Sequence, residues 1–156
     1  MPHRRDEIRK ILVDALKGKT LAKDNVYNWR IRPVQNEKDY PSISVMIQEE
    51  SATEISGAED LIHRKAHVCI LAYTSISNSD DNISDELVRQ VEAIINTLDS
   101  KDFSFKYHKS EIFTENSSTK VLILSSLNYE CSYFTEEIKG LNADNLEQLS
   151  IEVNNG

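Results

Sequence analysis

His63 and His67 are the pair whose spacing comes nearest to chemistry in this chain. Four positions apart, two histidines on a helix share a face and can hold zinc. Here the segment reads as a loop running into a strand, and no glutamate follows His63 as a metalloprotease motif requires. Both are read as ordinary histidines at the start of a strand. His108 sits beside Lys106 and Lys109 in an expected surface hairpin and is read as solvated. Cys69 and Cys131 lie in apolar runs and are read as buried thiols that pack as small hydrophobes, with a disulfide between neighbouring strands left open. A cysteine and a histidine without characteristic spacing do not define a nucleophile pair. Gly18, Gly57, Gly140 and Gly156 stand too far apart to cradle a phosphate, and no Gly-x-Ser-x-Gly elbow occurs. No catalytic residue, metal ligand or cofactor is assigned.

The remaining candidates are charges. Glu49, Glu50, Glu54, Glu59 and Asp60 form a loose acidic cluster in an expected loop over residues 49–62. Most such runs are solvated faces. The sharper reading is an interface, in which this loop meets a basic patch on another subunit. Arg30, Arg32, Arg64 and Lys65 are the candidates for that patch. Charges at an interface rim guide orientation and association rate more than affinity.

Two helices and about five strands must carry these groups. Ile8, Ile11, Leu12, Ala15 and Leu16 follow the spacing of one helical face, which predicts a helix over 6–17 that stops at Gly18. Leu87, Val91, Ile94, Ile95 and Leu98 predict a second over 84–98, with Asn82 or Ser84 as its cap. Tyr27, Trp29 and Ile31 alternate with polar residues and predict a strand over 26–32 ended by Pro33. Ile43, Val45 and Ile47 predict another over 42–48. Residues 64–74 are apolar on both faces around Val68–Ala72, as in a central strand. Phe103–Tyr107 and Glu111–Glu115 form two short patterned pieces, and a long strand over 120–133 follows. The fold expected is α+β, an α/β sandwich with a mixed, mostly antiparallel sheet of about five strands and two main helices packed on it. Residues 1–134 read as one domain and 135–156 as an acidic C-terminal tail, a weak helix or disordered.

The chain has 156 residues and a formal net charge of −8. That length suits one domain with its own core. The negative charge argues against general binding to nucleic acid or anionic membranes, which recruit a positive field. The N-terminus lacks the apolar stretch of a signal peptide, and no apolar run is long enough for a membrane helix. A protein made and used in a cytoplasm is expected.

The run Glu37-Lys38-Asp39-Tyr40-Pro41-Ser42-Ile43-Ser44-Val45, with Leu12-Val13-Asp14-Ala15-Leu16 before it, is similar to the tail terminator proteins of long-tailed phages, the lambda-like minor tail protein U group. An acidic loop, a central strand, a helix and a closing strand ending in aromatics follow in the same order. The resemblance covers most of residues 5–134. The chain departs from the pattern in a longer 99–119 stretch and in the tail after Phe134.

The resemblance implies an α/β structural protein of the virion tail, without catalysis, assembled in the host cytoplasm. It implies a homo-oligomeric ring, a hexamer, that caps the head-proximal end of the tail tube and stops its polymerisation. Its partners would be its own copies, the tail tube protein and a head-completion or neck protein. A ring needs a heterologous interface whose rotation closes. The competing readings are another phage or prophage neck or head-completion protein, and a small non-enzymatic binding module. An enzyme would need convergent polar groups in a pocket, and the sequence offers no such set.

Overall fold

A computed structural model describes residues 4–28, 40–54, 61–76, 82–98, 101–116 and 121–136. Helical spacing places α1 at Arg4–Leu16, and it buries Ile8, Leu12, Ala15 and Leu16, the expected stripe. Asp6 and Glu7 occupy its first turn, at the positive end of the helix dipole. Arg9 pairs with Asp6, and Arg4 with Glu7 at 2.9 Å. Gly18 takes φ +76° just past the helix, and its N–H donates to the Lys23 carbonyl at 2.7 Å. Glycine reaches that left-handed region without the steric cost of a Cβ, so the helix stops there.

The second helix, α2, spans Asn82–Asn96 and buries Ser84, Leu87, Val91 and Ile95. Ser84 therefore lies inside the helix rather than capping it. Its hydroxyl approaches that of Ser125 at 3.4 Å beneath the first turn. Ile94 and Leu98 pack at the core margin.

The strands are β1 (Val26–Asn28), β2 (Ser42–Glu54), β3 (Leu61–Ile76), β4 (Ser104–Asn116) and β5 (Val121–Glu136). They form one sheet in the order β1-β2-β3-β5-β4. β1 runs parallel to β2, and the other neighbours are antiparallel. The molecule is thus the α+β fold expected, with a mixed, mostly antiparallel five-stranded sheet and two helices.

Both helices pack on one face of the sheet and touch each other. Cross-strand rows build that face: Ile43 beside Ala72, Val45 beside Ile70 and Leu127, Ile47 beside Val68 and Tyr129. All of these are buried, which fixes the register, because a one-residue slip would turn each row to the other side. β3 is the central strand, as its apolar run predicts.

Several boundaries differ from the sequence reading. Residues 49–54 are strand rather than loop, and β3 begins at Leu61 rather than Arg64. The two pieces over 103–115 are one strand, β4. The differences in β2 and β4 have one physical cause. β2 carries a bulge between Ile47 and Glu49, and β4 carries one between Tyr107 and Lys109. An extra residue reverses which side chains face the core, so the period-two signal breaks in mid-strand. Residues 29–32 of the expected first strand lie outside the described residues, as does the expected tail beyond Glu136.

Tyr129 and Tyr133 bring large rings into the core, and the Tyr129 hydroxyl is buried without a hydrogen-bond partner among the described residues. Burial, then the nearby Glu92 charge, pushes this phenol well above its ordinary pKa. Removing a buried hydroxyl that lacks a partner costs little. Tyr129→Phe is therefore expected to leave stability unchanged or raise it by up to about 1 kcal/mol, measured by urea unfolding. A clear loss would show that the hydroxyl is bonded.

Candidate functional site

The second face of the sheet, away from the helices, collects the polar side chains. Backbone register aligns Glu49, His67, Glu130 and Lys106 in one row across β2, β3, β5 and β4. The next row holds Met46, Cys69, Asn128 and Lys109. Hydrogen bonds run diagonally between rows. His67 Nε2 meets Asn128 Oδ1 at 2.7 Å, and Cys69 Sγ meets Ser126 Oγ at 3.1 Å. Lys65 lies 3.6 Å from Glu130. A shallow groove of about 360 Å³ crosses these rows, lined by Glu49, Ser51, Lys65, His67, His108 and Lys109, among others.

No group of three or more potential ligands is placed to hold a metal ion among the described residues. His63 and His67 share a face of β3, but four strand residues separate them by roughly 13 Å. His63 instead stacks on Phe134 with ring centroids 5.0 Å apart. His108 occupies the β4 bulge and is exposed.

The thiols lie on opposite faces of the sheet. Cys131 pairs in register with Ala66 on the helix side, and Cys69 with Asn128 on the other. Both are free and buried, and their placement excludes the disulfide left open by the sequence. Burial pushes Cys131 up to about 12. Burial raises Cys69 too, partly offset by its hydrogen bond with Ser126.

Two consequences follow for a thiolate-dependent reaction. Neither cysteine should react with a thiol reagent in the native protein at neutral pH, and both should react in denaturant. An acid whose folded pKa is raised loses its proton first in the unfolded chain, so stability falls once pH passes the unfolded thiol value of about 8.5. For Cys131 the fall continues towards about 12. Urea titrations at pH 7.5 and pH 10 should show a smaller loss for Cys131→Val than for the unaltered chain. Equal losses would remove this thiol as a source of alkaline sensitivity.

The acidic cluster divides on the structure. Glu49 is exposed on the second face, whereas Glu50 points to the helix side. There Glu50 lies 3.7 Å from Arg64 and 3.7 Å from Arg5 of α1, with its side chain only 13% exposed. Arg64 Nε also donates to Thr135 Oγ1 at 2.7 Å. Glu50 and Arg64, assigned by sequence to opposite sides of a subunit contact, thus meet within one chain. The backbone of Glu54 ends β2. Glu59, Asp60, Arg30 and Arg32 lie outside the described residues.

What sequence reasoning missed is β4. Among the described residues it forms one edge of the sheet, and all its side chains except Phe105 are exposed. Ile112 and Phe113 are 64% and 52% exposed there. An exposed edge with apolar side chains offers backbone donors and acceptors to another strand. The alternation around Ile112 was the available signal.

The family model of phage minor tail protein U matches residues 3–133. The chain belongs to that family. No curated protein matches it. The match runs from the start of α1 almost to the end of β5, so both helices and all of the sheet except Phe134–Glu136 of this minor tail protein U fall within it. As a member of that family the protein is a structural component of a phage tail. None of its described helices is long and apolar enough to cross a membrane.

Proposed function

We propose that this minor tail protein forms a homo-oligomeric ring, a hexamer, at the head-proximal end of the tail tube. There it stops tube polymerisation and offers the surface on which a neck or head-completion protein joins. Family membership supports the tail placement. Among the described residues β4 has no neighbour on its outer side, and that is the observation that supports self-assembly. A ring of identical subunits requires two different surfaces on each copy, and the sheet has two different edges. The second face supplies polar, charged groups of both signs, suited to contacts that form on meeting a partner. The role asks for binding and geometry, not for a catalytic centre.

The test is tube length. Purified chain added to polymerising tail tube protein should halt growth and appear at one end of each tube by immunogold electron microscopy. Tubes that lengthen unchanged, with the chain absent from their ends, would overturn the terminator role while leaving the tail assignment intact.

A further inference from the structure

We propose that two copies of this chain pair through β4 about a two-fold axis at Ile112, with Lys109 of each facing Glu115 of the other. The contact is additional to the ring reading and stands without it.

The two halves of β4 differ. The first is blunted in the usual way of an edge strand, by Lys106, Lys109 and the bulge between Tyr107 and Lys109. The second, residues 110–116, has no lysine, proline or bulge. It carries Ile112 and Phe113, 64% and 52% exposed, on opposite faces of the sheet. Every side chain from 106 to 116 is exposed, so no described element overhangs this edge on either face.

Charge selects both the partner and the register. The basic groups of β4 lie before Ser110, and its acidic groups, Glu111 and Glu115, lie after it. A strand divided in this way is complementary to its own antiparallel copy. With Ile112 on the axis, Glu111 faces Phe113, Ser110 faces Thr114 and Lys109 faces Glu115, each twice. No like charges meet, and residues 109–115 pair without reaching the bulge. Lys109, already 2.8 Å from its own Glu111, gains a second carboxylate. The two Phe113 residues become diagonal neighbours about 7–8 Å apart, within reach of aromatic side chains. Other centres lose these features. An axis at Glu111 sets two carboxylates face to face, and one at Phe113 sets Glu111 against Glu115. An axis at Ser110 brings the His108 bulge into the middle of the pairing, and one at Thr114 leaves only residues 112–116.

One strand from each copy buries less than the roughly 1,000 Å² of a stable interface, so the pair exchanges with the single subunit. A two-fold contact closes at two copies and does not propagate into a ring. If the ring uses this edge, the pair holds free copies out of it until they meet a tail tube; that consequence alone rests on the ring reading.

Oxidation of an Ile112→Cys protein with diamide tests the axis. Facing Cβ atoms lie about 5 Å apart, so a denaturing gel without reductant should show a dimer. Positions 110 and 114 each lie roughly 13 Å from their own copies across the axis. Ser110→Cys and Thr114→Cys should therefore stay single, whereas the double variant should cross-link. The native thiols are buried. Sedimentation velocity at low salt gives a second readout. Glu115→Lys should weaken the pair about tenfold, and an equimolar mixture of Glu115→Lys and Lys109→Glu proteins should restore it, because opposite charges then face each other at both ends.

Equal dimer from Ile112→Cys and Thr114→Cys, or unaltered protein that sediments as a monomer at every concentration, would overturn the pair. The cross-linked Ile112→Cys dimer should fail to stop tail tube growth and should recover on reduction. A cross-linked dimer that stops tubes would overturn the holding role. Unaltered protein that never stops tubes would overturn the ring reading and leave the pair standing.

Discussion

Replacing Leu12 with alanine should lower the stability of the fold by about 3 kcal/mol. Leu12 is fully buried in α1 at the centre of the contact between the helices and the sheet. The substitution removes the leucine's burial energy and leaves a cavity that α1, held at both ends by Ile8 and Leu16, cannot close. For a domain of this size the melting temperature should fall by roughly 6–12 °C. Ile112→Ala is the control. Ile112 is 64% exposed, so its loss should alter the stability of a single subunit by less than about 0.5 kcal/mol. Equal effects at the two positions would mean that the helices do not pack as described.

Glu50→Ala should cost about 2–3 kcal/mol. The carboxylate stands between Arg64 and Arg5, and the Glu50 and Arg64 side chains are 13% and 16% exposed. Removing it leaves the mostly buried Arg64 guanidinium without its carboxylate, while Arg5, with its side chain 49% exposed, stays screened by water. Glu50→Gln should recover part of the loss, because the amide keeps the shape and one acceptor oxygen. Glu49→Ala should leave the melting temperature of a free subunit unchanged, since that side chain is exposed on the second face. The pair separates an internal clamp from a surface residue. A Glu50→Ala protein that melts normally but no longer assembles would return Glu50 to the subunit contact.

The helices were legible because burial and period agreed. Ile8, Leu12, Leu87 and Ile95 keep one face from end to end, and all four are fully or almost fully buried. The strand over 120–133 was legible for the same reason from Leu127 to Tyr133. Toward Val121 and Ile123 the side chains are only half-buried, and there composition alone suggested a deeper core than the fold provides. β2 and β4 were misread. A bulge reverses the alternation at Gln48 and again at His108, and past those points polar residues occupy both faces because solvent reaches both.

The Glu50–Arg64 contact depends on the register of β2 against β3, which aligns Ala52 with Arg64 and Glu50 with Ala66. No pattern within either strand contains that information. The same holds for the Glu49–Lys106 row, whose members lie on strands far apart in sequence. Acidic and basic groups were visible in the chain, but which of them meet is a property of the sheet.

The central question is whether this phage tail protein closes into a ring. Light scattering after size exclusion, over a range of protein and salt concentrations with negative-stain imaging of each peak, measures that directly. The expected result is rings of about six subunits, or a monomer converting to such rings as concentration rises or tail tubes are added. A monomer or two-fold dimer at every concentration, unchanged by tail tubes, would contradict it.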